Sequence, residues 1–429
     1  FPTKVKTWAR ANRFVGDLGQ MLMCPDESGD LYCGLLGVGN SEMRKRQRFS
    51  LATATANLPA GKYYFANDIP LKNKDLELIG CLMNNYKFDK YKESNDKEIE
   101  FVAPDWVRKE KILALIEAEE FCCDLINKPA NILGPRNLEE ASKKIMDKFG
   151  GEFTVWRGKE LLTNNFPLIY AVGAAASQEP RLIEFRYGSS GPKITLVGKG
   201  VCFDTGGLNL KPDASMGLMK KDMGGAANIL ALASMIMKLK YKCRLRVLIP
   251  AVENSINSQS FRPQDILISR KGLSVEINNT DAEGRLILAD ALTLAGEENP
   301  DLIVSMATLT GAARVALGAE VSPFFTGSDK TARELFHAGK KAFDPVWRLP
   351  FWEPYEDFIE PRTADLDNAP KGGHAGCITA ALFLRRFVPD PDKYIHFDIF
   401  GWNPSAKPGR PMGGALQGPR ALLEALPRI

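Results

Sequence analysis

The chain has 429 residues, 45% of them hydrophobic and 25% charged, with 56 Lys and Arg against 52 Asp and Glu for a formal net charge of +4. That composition is ordinary for a globular protein of two or three domains, and the near-balance of charge excludes a strong field for nucleic acid or a membrane surface. Eight scattered cysteines with no CxxC pair, no run of about 20 apolar residues and no signal peptide argue for reduced thiols, no membrane span and a cytoplasmic location.

Taken in chain order, residues 1–105 carry short apolar runs at Leu31 to Val38 and Lys62 to Ala66, then a mixed segment from Leu76 to Met83. The basic run Arg44 to Arg48 reads as a solvated helix face or loop. A polar stretch from Asp89 to Glu100 separates this part from the remainder of the chain. From Trp106 to Ile126 apolar residues at helical spacing predict a connecting helix, closed by Pro129 and Pro135. Beyond it, apolar runs at Leu168 to Val172, Ile194 to Val197, Leu245 to Ile249, Leu302 to Met306 and Tyr394 to Ile399 read as strands alternating with helical stretches. The expected fold is therefore α/β: a smaller N-terminal α/β domain over residues 1–105, a connecting helix over 106–128, and a larger α/β domain over 129–429 with a mostly parallel central sheet.

Two clusters carry chemistry. The first, Asn279 to Leu286, sets Asp281, Glu283 and Arg285 at alternate positions, so extended backbone would project all three on one face. Gly284 weakens a strand interior and suggests close backbone approach, so a site and a solvated edge both remain open. The second begins after the strand candidate ending at Val197: Gly198-Lys199-Gly200 and Asp204-Thr205-Gly206-Gly207, then Lys211, then Lys220-Lys221-Asp222 opening an Ala-rich helical run. Loops beyond strand C-termini and helix starts are where α/β proteins bind ligands. Glycines crowded around Lys199 and Asp204 leave room for something small. With three histidines and no cysteine pair in the chain, any metal site would be built mainly from carboxylates, for which Asp204, Asp222, Asp281 and Glu283 are the acidic candidates. Lys199, on its residues alone, reads as a surface lysine or a phosphate contact.

The chain resembles the cytosol (leucyl) aminopeptidase family of two-metal exopeptidases. The matching pieces are VGKGVCFDTGGLNLKP from Val197, KKDMGGAA from Lys220, PAVENSI from Pro250, NTDAEGRLILADAL from Asn279 and ATLTGA from Ala307. Weaker matches at NKPANILGP from Asn127 and AGCITAALFL from Ala375 extend the likeness over most of the last roughly three hundred residues. The first hundred residues match only loosely, around Tyr86 to Lys92.

The resemblance implies an aminopeptidase that removes one N-terminal residue from a peptide, with two divalent cations per subunit (Mn or Zn, with Mg or Co also usable). It implies that Asp204 and Glu283 are shared between the metals, that Lys199 and Asp222 complete one metal site, and that Asp281 serves the other. Lysine ligates only as a neutral amine, so the Lys199 pKa would have to fall well below about 10.4, as a dication at bonding distance would make it do. A metal-held hydroxide is then the nucleophile and one metal takes the substrate's α-amine. Lys211 stabilises the gem-diolate and Arg285 holds a bicarbonate that acts as general base. Met219, Thr308, Leu309 and Gly311 lie along the substrate, Leu309 and Gly311 through backbone groups. A homohexamer is implied as well, and the apolar stretch Ile229 to Met237 looks exposed enough to tolerate it.

Phe400-Gly401-Trp402-Asn403 and Pro411 to Ala415 depart from the family's small-residue pattern near the side-chain pocket, which leaves side-chain preference open. An additional nucleic-acid-binding role through the N-terminal domain is the alternative function. A two-metal phosphoesterase is opposed by the scarcity of histidine.

Overall fold

The computed structural model describes residues 1–66, 69, 71–92 and 99–429. Residues 93–98 of the polar stretch Asp89 to Glu100 lie outside the described residues. The chain divides into two compact units, 1–120 with 403–412, and 121–402 with 413–429. The helix Lys109–Asn127 carries the division.

The first unit is small and mixed. Strands β1 (Met21–Pro25) and β2 (Leu31–Leu36) form an antiparallel pair, and β3 (Gly61–Tyr63) pairs in parallel with β4 (Ile99–Phe101). Its core gathers Leu51, Leu71, Leu78 and Cys81. The segment Leu76 to Met83 is helical, within Lys74–Met83. The carboxylate of Glu77 reaches back to accept the Leu51 amide at 2.8 Å, anchoring the helix Ser50–Thr55.

The second unit is built on a nine-stranded sheet. Its strands are β5 (Glu152–Arg157), β6 (Arg181–Tyr187), β7 (Lys193–Gly198), β8 (Gly200–Asp204), β9 (Arg244–Asn254), β12 (Leu302–Ala307), β13 (Ser322–Phe325), β14 (Val346–Arg348) and β16 (Tyr394–Asp398). A separate three-stranded sheet joins β10 (Ile266–Ile268), β11 (Ser274–Glu276) and β15 (Leu366–Asp367). The large sheet runs β14-β13-β16-β12-β7-β9-β6-β5, with β8 continuing beside β9. Its centre, β16-β12-β7-β9, is parallel throughout, and these are the four strands whose apolar runs stand out in the sequence. β12 is buried at every position, as a parallel strand covered on both faces must be.

Two expectations about elements fail. Leu168 to Val172 is not a strand but lies in the helix Pro167–Gly173. Short apolar runs cannot be assigned by periodicity, and here Pro167 opens the helix while the buried Asp290 carboxylate accepts the Leu168 and Ile169 amides at 2.8 and 3.3 Å. Ile229 to Met237 is not exposed either, because the helix Gly224–Lys238 is buried almost all round. That helix lies against β7, β9 and β12.

Glycine decides how close it comes. A Cβ at Gly225 would fall 2.2 Å from the Met306 carbonyl oxygen, and one at Gly198 would fall 2.7 Å from the Ala226 Cα. The helix start is thereby seated on the ends of two strands.

Candidate active site

Lys199 is the single residue between β7 and β8, and the backbone there is fixed from both sides. Its amide donates to the Met306 carbonyl at 3.0 Å and its carbonyl accepts the Ala226 amide at 2.8 Å. Side chains at 198 and 200 would strike Ala226 and the Pro250 carbonyl, which explains the Gly-Lys-Gly sequence. So held, the Lys199 ammonium is buried, donates to the Thr308 carbonyl at 3.1 Å, and lies 2.8 Å from Asp222 Oδ2 and 2.9 Å from Glu283 Oε1.

Asp204 ends β8. Its Oδ1 accepts the Gly206 amide at 2.9 Å and the Asn254 amide group at 2.8 Å, while Oδ2 lies 2.8 Å from Lys211 Nζ. The loop to Lys211 closes through a Lys211 N–H to Thr205 carbonyl bond of 2.9 Å. Gly206, at φ +88°, takes the left-handed turn this closure needs. Lys211 also pairs with Asp281. Asp222 lies on the 3-10 turn Met219–Met223 just before the buried helix, and its Oδ1 accepts the Thr308 hydroxyl at 2.7 Å.

The reading of Asp281, Glu283 and Arg285 as one face of extended backbone is wrong. Glu283 opens the helix Glu283–Gly296 and Arg285 lies in its first turn, with Asp281 in the turn before it. Gly284, which suggested a broken strand, sits in the helix where a Cβ would meet Lys199 Nζ and Cε at 2.6 Å. The close approach is real, and its partner is a side chain of the other cluster. A carboxylate at a helix N-terminus is favoured by the helix dipole, which helps hold the buried Glu283. The Arg285 guanidinium is buried, donates through Nη1 to the Asn368 carbonyl, and leaves its Nε–H without a partner.

The two clusters thus form one centre. Asp204, Asp281 and Glu283 present carboxylate oxygens that all lie within 4.8 Å of one another. Four carboxylates face two ammoniums, leaving two formal negative charges in a buried site. Burial first, and the neighbouring Asp204 carboxylate second, push Glu283 and Asp281 well above the usual carboxylate range. Burial alone would pull Lys199 down, but Asp222, Glu283 and Asp204 together push it above the usual lysine value. That is opposite to what ligation by a neutral amine demands, and a dication placed among the same carboxylates would reverse it. Asp222 Oδ2, Asp281 Oδ1 and both Glu283 oxygens are buried and accept no well-directed hydrogen bond, although ammoniums lie close to three of them. Excess negative charge and unspent oxygen lone pairs are what a pair of hard cations requires, so the residues fit a dinuclear centre.

Of the residues expected along the substrate, Thr308 is tied to the centre through Asp222 and Lys199. Met219 begins the turn that carries Asp222, and Gly311 begins the helix Gly311–Leu317. The Leu309 amide is already engaged, donating to Asp398 Oδ1 at 3.0 Å, so its carbonyl is the backbone group left to meet a ligand. Sequence reading missed three supporting residues. Asp398 holds the loop after β12 through the Leu309 and Thr310 amides and the Thr310 hydroxyl. Asn254 links Asp204 to the Thr280 carbonyl, and Asn368 brackets the Asn278 and Asn279 amides. A lone aspartate ending an apolar strand was the available signal for Asp398.

The chain matches the family described as "Cytosol aminopeptidase family, catalytic domain" over residues 120–422, and "M17 aminopeptidase, N-terminal domain" over residues 2–104. It is 36% identical over 418 residues to a probable cytosol aminopeptidase of Syntrophotalea carbinolica, covering 92% of this chain and 82% of that one. Among solved structures it is similar to a cytosol aminopeptidase from Coxiella burnetii, with a TM-score of 0.93 and 41% identity over 100% of this chain and 93% of the other. The bottromycin maturation enzyme BotP in complex with Mn superposes with a TM-score of 0.89 and 31% identity, over 97% of this chain and 95% of that one. No helix among the described residues is long and apolar enough to cross a membrane.

Proposed function

The chain belongs to the cytosol aminopeptidase family of metal-dependent peptide hydrolases, and we propose that it removes single N-terminal residues from peptides at the centre formed by Lys199, Asp204, Asp222, Asp281 and Glu283. The observation that supports this reading is the buried excess of carboxylate charge with four oxygens lacking well-directed hydrogen bonds. Asp204 and Glu283 would be shared between two divalent cations, with Lys199 and Asp222 on one and Asp281 on the other. Manganese is the first metal to try, since the similar BotP was solved in complex with Mn. When bound, such cations act as Lewis acids on the peptide carbonyl and make water a competent nucleophile at neutral pH.

Hydrolysis adds water across the first peptide bond, so the carbonyl carbon gains a hydroxyl and the departing amine gains a proton. Lys211 is the residue to meet the charge that develops on the carbonyl oxygen. Its ammonium is held by Asp204 and Asp281 at the mouth of the centre and is still partly exposed. That placement is favourable for a donor whose interaction strengthens as the oxyanion forms. Arg285, with an unspent buried Nε–H and a planar fork, fits a bicarbonate, which would supply a base for the proton released from water. Asn254 and Asn368 keep the acidic loops in register. A free N-terminus supplies the amine that a carboxylate-rich centre selects, and an internal peptide nitrogen cannot replace it.

The test is chelation followed by metal add-back, using free and N-acetylated aminoacyl amides. Activity should vanish on chelation, return with manganese, zinc or cobalt, and be absent for acetylated substrates. Undiminished turnover in a verified metal-free preparation, or equal cleavage of blocked and free substrates, refutes the reading. A homohexamer is the assembly we propose, and a sedimenting mass near the 47.3 kDa of a single chain at micromolar concentration would exclude it.

A further inference from the structure

Beside Asp222 the chain builds a wall of aromatic rings and cations. The Arg314 guanidinium stacks 4.4 Å from the Phe400 ring centroid, and Lys221 Nζ lies 5.2 Å from the same centroid. Next along the strand exit, Lys220 Nζ lies 5.5 Å from the Trp402 ring and donates to the Asn127 carbonyl at 2.8 Å. Arginines elsewhere in the same unit, such as Arg181, Arg246, Arg270 and Arg385, lie within ion-pair distance of a carboxylate. Among the described residues, Arg314, Lys220 and Lys221 have no carboxylate within that distance. Lys221 is only 4% exposed, so its cation is taken largely out of water beside an aromatic face, with its neighbour Asp222 acting on it from beyond ion-pair distance.

The wall adjoins the reaction centre. Gly401, the residue after Phe400, approaches so closely that a Cβ there would meet Thr308 Cγ2 at 3.2 Å, and the Thr308 hydroxyl bonds Asp222. Arg314 folds back over the start of its helix, where a Cβ on Gly311 would lie 3.6 Å from Nη2. Met219 lies two residues before Lys221 on the same turn. The wall is thus bordered by residues expected to line the bound peptide.

Resting on the aminopeptidase reading, we propose that Arg314, Phe400 and Lys221 form a subsite for a carboxylate of the substrate, so that this enzyme selects peptides carrying a carboxylate within reach of that wall. The carboxylate is either the side chain of an N-terminal aspartate or glutamate, or the C-terminus of a dipeptide. Arg314 offers it a planar fork already stacked and oriented by Phe400, and Lys221 adds a second positive charge with no carboxylate within ion-pair distance. An apolar N-terminal side chain gains nothing from these charges and must leave them facing it without a partner.

Arg314 is exposed on the surface of the helix Gly311–Leu317, so its replacement leaves the fold intact. The manganese-loaded holoenzyme and its Arg314→Gln and Arg314→Glu variants are assayed on the 4-nitroanilides of Glu and Leu, and on Leu-Gly against Leu-Gly amide. In Arg314→Gln, one of the two kcat/KM ratios, Glu over Leu anilide or acid over amide, falls by about tenfold or more, the range for losing one charge-assisted hydrogen bond. Arg314→Glu lowers the same ratio further. A fall in the anilide ratio assigns the subsite to the N-terminal side chain, and a fall in the dipeptide ratio assigns it to the C-terminal carboxylate. Changes below about threefold in both ratios overturn the subsite while leaving the aminopeptidase reading intact. Absence of turnover by the parent enzyme on every substrate overturns that reading, and the subsite with it.

Discussion

Replacing Gly284 with alanine puts a methyl group where the Lys199 side chain already lies. The added Cβ falls 2.6 Å from both Nζ and Cε and 2.8 Å from Cδ. Ordinary contacts of this kind settle near 3.5–4.0 Å, so the lysine must retreat by about 1 Å. It has no free direction, because Nζ is held by the Thr308 carbonyl at 3.1 Å, Asp222 at 2.8 Å and Glu283 at 2.9 Å, and the residue is buried. Overpacking of this order costs about 1–3 kcal/mol, offset by about 1 kcal/mol because alanine is the better helix former. The net loss of stability should therefore stay within about 2 kcal/mol. A group displaced by about 1 Å in a reaction centre lowers rates by roughly 10²-fold, so activity should fall far more than stability does. Metal content by mass spectrometry, kcat/KM on Leu 4-nitroanilide and calorimetric unfolding separate the two effects. Gly217→Ala is the control, since the nearest atom to its added Cβ is the Asp213 carbonyl at 3.5 Å. Full metal content together with kcat/KM within about threefold of the parent enzyme in Gly284→Ala would refute the packing argument.

Other substitutions probe separate parts of the same design. Lys199→Ala should lower metal occupancy and activity together, whereas Lys211→Ala should keep both metals and lose roughly 10²–10³-fold in kcat, the effect of removing one oxyanion donor; metal analysis beside kinetics decides, and metal loss in Lys211→Ala would overturn the assignment. Gly225→Ala sets a Cβ 2.2 Å from a backbone carbonyl that cannot move aside, so thermal unfolding should show a loss of about 3 kcal/mol or more, and near-native stability would contradict the seating of that helix. Asp290 is pushed up to about 7 by burial, against the opposing pull of the Arg270, Leu168 and Ile169 amides. A raised carboxylate binds its proton more tightly in the folded state, so its contribution is fully present below about pH 4 and is lost as pH rises through about 7. Urea unfolding across that window should show a downward slope that Asp290→Asn flattens, at a cost of about 1–3 kcal/mol from weakened amide contacts, and an unchanged slope in the variant would refute it.

Much of the site was legible because its local requirements are written in adjacent residues. Glycines on both sides of Lys199 announce a backbone with no room for Cβ, whereas the grouping of four carboxylates with two lysines at one centre was implied only by the family resemblance of the motifs, Lys199 by itself reading as a surface lysine or a phosphate contact. The parallel centre of the sheet was visible for a related reason, since strands buried on both faces appear as unbroken apolar runs. What failed were assignments resting on one short segment. Asp281, Glu283 and Arg285 alternate as a strand face would, yet Glu283 starts a helix whose close-packed Gly284 exists for a lysine 85 positions earlier. Leu168 to Val172 became helical through the Asp290 carboxylate, 122 residues away in sequence. Ile229 to Met237 looked exposed because nothing local records that a sheet covers it.

The inventory of the centre and its order along the chain are properties of the amino-acid sequence, because residue type sets charge, ligating ability and the freedom of glycine backbone. Which of those groups meet is a tertiary matter. Lys199 reaches Thr308, Asp222 and Glu283 because parallel pairing sets Gly198 opposite Met306, and because the Lys199 backbone then bonds Met306 on one side and Ala226 on the other. Sheet register and helix seating are fixed by burial and by backbone hydrogen bonds between distant segments, and no window of neighbouring residues contains either.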